Sequence, residues 1–165
     1  MRRTILPIAA ILLTAACSGS PKAGTAANVG GSAAKPLTAT SSFTKLSAAV
    51  SAAKQSGIVT AANDGNHLLG RPNQYTSKVT FTDSRIKASD VEGTDKGDVD
   101  RGGAIEVFAD PADAKARAKY IQAVTKSMPV FSEYDYVHGT VLVRVSHYLT
   151  PTQAAGYKDA LDKLN

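Results

Sequence analysis

Two hydrophobic periods alternate along the C-terminal part of this chain, and together they predict a mixed α and β domain. Phe43, Leu46, Val50 and Ala53 recur at three- and four-residue spacing, which predicts a helix over Thr44 to Ser56, stopped by Gly57. Ile58 to Ala62 reads as a further short helical turn. The stretch "NDGNHLLGRPNQ" is dense in turn-forming residues and reads as an ordered loop. From Tyr75 to Thr82, Val79 and Phe81 alternate with polar residues, as a half-buried strand requires. Arg85 to Arg101 is an acidic, glycine-containing loop or irregular hairpin. Ala104 to Ala109 is a second strand, with Ile105 and Val107 on one face.

The next helix announces its start. Asp110 can cap it, Pro111 suits the first helical position, and Asp113 faces the positive end of the dipole. It runs to about Met128, with Ala114, Ile121, Val124 and Met128 on the buried stripe, and Pro129 ends it. Tyr134 to Val137 and Thr140 to Ser146 pair as a hairpin around His138-Gly139, with Val141, Val143 and Val145 on one face. Thr150, Pro151 and Gln153 form a capping-box start for a last helix carrying Ala154, Tyr157, Leu161 and Leu164. The expected order is α-β-β-α-β-β-α. Hairpins and helices that do not strictly alternate argue for an α+β fold of about four mostly antiparallel strands with helices packed on one face.

The N-terminus changes the picture from a domain to a located domain. Arg2 and Arg3 precede a short apolar run, Ile5 to Leu13, and then Thr14-Ala15-Ala16. That is the order of a secretory signal. The run is too short to span a bilayer, which takes about 20 residues. Cys17, the only cysteine, follows directly. This arrangement resembles the lipobox of bacterial lipoproteins, with Thr14 where leucine is commonest. The resemblance implies a lipid on the sulfur of Cys17 and a chain anchored on the extracytoplasmic face of the cell membrane. An unpaired cysteine left free in an oxidising compartment would be a liability. Ser18 to Ser42 is rich in Ser, Gly, Ala, Thr, Pro and Lys and reads as a flexible tether. About 25 such residues reach roughly 25–30 Å. The expected organisation is a signal over 1–16, the lipidated cysteine and linker over 17–42, and one domain over 43–165.

Charge adds little. Loss of Arg2 and Arg3 with the signal lowers the formal charge from +5 to +3, which is ordinary for solubility. Nucleic acid is not an expected partner. The expected partners are the membrane, through Cys17, and an envelope protein or ligand.

Three stretches, "HLLGRPNQYTSKVTFTD", "GGAIEVFADPADAKARAKYIQ" and "YDYVHGTVLVRVSHYLTPTQAAGYKDAL", resemble a module of uncharacterised secreted proteins and lipoproteins of actinobacteria. The resemblance covers about Asn63 to Leu161 and implies one homologous domain without implying an activity. Element order alone also resembles inhibitor-like envelope lipoproteins. The signal-tether-domain layout is shared with phage-encoded lipoproteins that exclude a second phage, an analogy of architecture.

Candidate chemistry is sparse. His67, His138 and His147 have no metal-ligand spacing, so no metal or other cofactor is expected. There is no nucleophile elbow, and Ser146 and His147, as strand neighbours, point to opposite faces. The chain is therefore read as a binding module and not an enzyme. The alternatives are an inhibitory or phage-exclusion lipoprotein and a small cell-wall hydrolase. "DVEGTDKGDVD" misses the EF-hand spacing and reads as a solvated acidic loop, with calcium binding left open. Lys115, Arg117, Lys119 and Lys126 read as the solvated face of a helix, with membrane contact as the alternative. The candidate recognition loop is His67, Arg71, Asn73, Gln74 and Tyr75, against the plainer reading of a structural turn plugged by Leu68 and Leu69. Tyr134 and Tyr136 are an aromatic patch or core under a helix.

Overall fold

A cap, not the apolar spacing, decides where the first helix begins. In the computed structural model, which describes residues 36–164, the Thr38 hydroxyl accepts a hydrogen bond from the Ser41 N–H and the Ser41 hydroxyl accepts one from the Thr38 N–H, forming a capping box. The helix α1 therefore spans Ala39–Ala49 and starts within the segment expected to be tether. It ends before Val50, and the chain turns into a strand where a helix was expected. This strand, β1, spans Ala53–Ile58. Ala53 continues the helical spacing of Val50 but reaches the core from β1. The remaining strands are β2 (Ser77–Asp83), β3 (Gly102–Val107), β4 (Glu133–His138) and β5 (Val141–Ser146).

All pairings are antiparallel and the sheet order is β1-β2-β3-β5-β4. The order along the chain is thus α-β-β-β-α-β-β-α, with five strands in place of about four. The fold is α+β. Helix α2 (Pro111–Ser127) and helix α3 (Pro151–Leu161) start where their caps predict. Asp110 accepts from the Ala112 N–H, and Thr150 with Gln153 forms a capping box.

The expectation that all helices share one face is corrected. Val79, Phe81, Ile105, Val107, Val143 and Val145 point to one side and pack under α1 and α3, through Phe43, Leu46, Tyr157 and Leu161. Tyr134 and Tyr136 pack, half-buried, against the same core. On the other side, Ala114, Ala118 and Ile121 of α2 pack on Tyr75, Phe108 and Leu142. Met128, expected on that buried stripe, is exposed beyond the end of α2.

Phe81 sits between the two aromatic partners of the first core, with ring centroids 5.7 Å from Phe43 and 5.3 Å from Tyr157. The neighbouring strand leaves room for it only because residue 103 is glycine. A Cβ there would collide with the Phe81 ring and with the Arg144 carbonyl. Gly103→Ala should destabilise the domain by about 1–3 kcal/mol or more, from overpacking. Gly156→Ala, in open space on α3, should stabilise it by about 0.5–1 kcal/mol. Urea denaturation of both variants checks the pair.

Candidate functional site

The side of the sheet under α2 carries charges at its centre. Alternation along the strands puts Lys78, Glu106, Glu133, Asp135 and Arg144 on this face, opposite the valines. Glu106 is fully buried. Three cations from three elements surround it. Lys78 of β2 lies at 3.1 Å, Arg117 of α2 at 3.2 Å and Arg144 of β5 at 3.3 Å. Burial works to raise the Glu106 carboxyl, and these three charges overcome it and hold it below the usual range. Arg144 also grips Glu133 with two bonds, Nε to Oε1 at 2.7 Å and Nη2 to Oε2 at 2.8 Å.

Asp135 lies directly across from Arg144 in the β4–β5 register. Both of its oxygens are shielded from solvent and accept no hydrogen bond from the described residues. Burial, reinforced by the adjacent Glu133 charge, pushes its carboxyl well above the ordinary range. The face therefore holds three cations, two carboxylates and one carboxyl that prefers its proton.

A cleft of about 970 Å³ opens over this floor. One wall is α2, with Arg117, Tyr120, Ile121 and Val124. Another is the segment Gly97–Asp100, held to the sheet by the Ser146 hydroxyl donating to the Asp100 carbonyl at 2.7 Å. Phe131 and Glu133 line it further, and Lys78 and Arg144 reach it from below. The Arg117 guanidinium lies 5.7 Å from the Tyr120 ring centroid, so that one side chain joins the aromatic wall to the charged floor.

The candidate recognition loop contributes one edge. Asn73 and Gln74 line the cleft, together with Asn66 and Leu68. His67 and Arg71 are exposed and are not part of its lining. Tyr75 is corrected from a surface recognition residue to core. It is completely buried, edge-on to Phe108 at 6.3 Å, with Lys78 Nζ 5.2 Å from its ring. Asp64 organises the loop, a role no motif signalled. It accepts from the backbone of Asn66, Leu68 and Leu69 and, at 2.6 Å, from the Tyr75 hydroxyl. Burial opposes its charge, but these four donors lower its pKa to about 2. The loop also holds His67 and Asn73 in the left-handed region, at φ 53° and 61°. The functional reading and the structural-turn reading thus divide by residue.

The other candidates fall apart in space. His138 lies 3.8 Å from Asp162 and His147 lies 3.5 Å from Asp100. Among the described residues, no group of three or more His, Cys, Asp or Glu side chains is placed to hold a metal. None of the described helices is long and apolar enough to cross a membrane. Cys17 lies outside the described residues. No family model, curated protein or solved structure matches this chain.

Two substitutions test the charge arrangement. Glu106→Gln leaves three cations around a neutral amide and should cost about 3–5 kcal/mol in chemical denaturation. Asp135 binds its proton more tightly folded than unfolded, so its contribution is present at low pH and lost as pH rises through its raised folded value. Asp135→Asn removes that loss. The variant should gain stability relative to the parent as pH rises from about 5 to about 8, and the parent should match or exceed it at the acidic end. Melting temperatures across that range check the sign.

Proposed function

We propose that this chain is an extracytoplasmic binding module, held at the cell membrane by a lipid on Cys17, that takes an envelope ligand in the cleft beside α2. The observation that carries the reading is the construction of the cleft. Its floor is immobilised by ion pairs from three elements, while its walls offer Tyr120, Val124 and Phe131 as apolar surface and Asn66, Asn73 and Gln74 as hydrogen-bonding groups. A few placed polar groups on a rigid, partly apolar cavity are the usual composition of a ligand site. An inhibitory or phage-exclusion role is the form this reading takes when the captured ligand is an incoming protein.

One observation favours a second reading, a cell-wall hydrolase. Glu106, Glu133 and Asp135 converge beneath the cleft, and a proton-holding carboxyl beside a carboxylate is the pairing that acid–base hydrolysis uses. Against it, both oxygens of Glu133 are held by Arg144, and those of Asp135 are sealed from the cleft. Binding is the better-supported function.

A photo-crosslinking residue placed at Tyr120, in otherwise native chain in intact cells, tests the reading. Its partner position is Lys54, exposed on β1. An adduct formed at 120 and absent at 54, lost when Cys17→Ser releases the chain from the membrane fraction, is the expected result. Identical adducts at both positions would remove the cleft from the reading. Membrane retention of Cys17→Ser would remove the lipid. Conversion of cell-wall material that stops in Asp135→Asn would replace binding with hydrolysis.

A further inference from the structure

We propose that the C-terminal half of α2 and the turn that follows it rest on an anionic lipid bilayer. Four of the six exposed large apolar side chains among the described residues gather there. Val130 is 73% exposed, Tyr120 62%, Phe131 59% and Met128 44%. Scattered exposed apolar residues are normal, but a contiguous group marks a surface that is covered in use. The group is also held in place. The turn Pro129–Phe131 is closed by the Phe131 N–H donating to the Met128 carbonyl and the Ser132 N–H donating to the Pro129 carbonyl, each at 3.0 Å.

Charge selects the occupant. The outer face of α2 exposes Lys115, Lys119 and Lys126, interspersed with Ala112, Ala116 and Ala123. These lysines form no ion pair among the described residues. The one acid on the helix is Asp113, in its first turn. At 1.5 Å per residue it lies about 20 Å from Met128, and about 10 Å from Tyr120. The next acid in the chain, Glu133, is neutralised by Arg144. Asp98 and Asp100 stand across the cleft from Tyr120 and Phe131, so the positive charge lies along the outer face of α2 and not all round the tip.

Tyr120, Met128 and Phe131 would suit a protein partner, but the lysine stripe beside them, of a residue type depleted from protein interfaces, would not. A bilayer fits it well. Lysine stems lie along the apolar boundary with their ammonium groups among anionic headgroups, and tyrosine is favoured at the same depth. The small alanines let the helix lie close to the surface. The inference stands on these residues and does not depend on a lipid at Cys17.

The test uses the full chain with Cys17→Ser, so that one new cysteine can carry an environment-sensitive fluorophore. Val130→Cys reports the tip. Asp159→Cys, exposed on α3 across the sheet, is the control. Vesicles of phosphatidylcholine with and without 30% phosphatidylglycerol are added (roughly 1 mM lipid). A blue shift at 130 with anionic vesicles only, and none at 159, is expected. Lys119→Gln with Lys126→Gln should lower partitioning about thirtyfold at low salt, and far less at high salt. Equal responses at both positions, or indifference to phosphatidylglycerol, would overturn the proposal. So would self-association, seen by sedimentation, that disappears in Val130→Ser with Phe131→Ser, since it would assign the tip to a second copy.

Discussion

The fold turns on one buried carboxylate. A sheet face bearing Lys78, Glu106 and Arg144 would ordinarily be left to water, since desolvating unpaired charge costs several kcal/mol per ion. Glu106 makes it possible to cover that face by engaging a cation from each of three elements at 3.1–3.3 Å. Arg117 is the decisive partner, because it comes from α2 and not from the sheet. It ties the helix to the polar surface beside the smaller second core. Such a cluster is poor evidence of net stability, but it specifies which helix lies on which face and how far along it sits. The same contact leaves a cleft between α2 and the segment Gly97–Asp100, with the cluster as its floor.

This explains which parts of the structure were legible in the sequence. Helix starts set by local chemistry were readable. Asp110 with Pro111, and Thr150 with Gln153, act within four residues, and the structure places both caps as their sequence implies. The start of α1 depends on an equally local box, Thr38 with Ser41, but it lies inside a composition that reads as tether. The hydrophobic stripes of β2, β3 and β5 were readable for the same reason, since period two needs no knowledge of the partner strand.

What was not legible depended on partners distant in sequence. β1 has a weak apolar pattern, "AKQSGI", and exists because β2 offers a paired edge. The register slips between Gln55 and Gly57, and the Ser56 hydroxyl bonds to Thr80 at 3.0 Å. The second helical face is not legible in the strands alone, because a polar residue every second position is compatible with a solvated face as well as with a covered one. Glu106 alternates with Ile105 and Val107 like a surface residue, and only its three cations, from positions 78, 117 and 144, show it to be core. The same holds for the recognition loop. Tyr75 sits among polar loop residues in the sequence, whereas Asp64, eleven residues earlier, draws its hydroxyl inward and sets the turn that leaves Asn73 and Gln74 at the cleft.

Helix α2 then carries three different surfaces at once. Ala114, Ala118 and Ile121 bind it to the sheet, and small residues there bring its axis close enough for Arg117 to reach Glu106. Arg117 and Tyr120 form the cleft wall. The lysine stripe and the Met128–Phe131 tip face outward. Tyr120 and Phe131 belong to both the cleft and the exposed tip, so occupancy of one surface alters the surroundings of the other. A ligand in the cleft would be presented where the tip is docked. Sequestering the tip in a bilayer would also remove water from the aromatic side of the cleft and strengthen polar contacts at its floor. If the cleft binds a ligand and the tip docks as proposed, the two events would be coupled through these two side chains, and the coupling would be reciprocal: whatever the tip gained from a filled cleft, the cleft would gain from a docked tip.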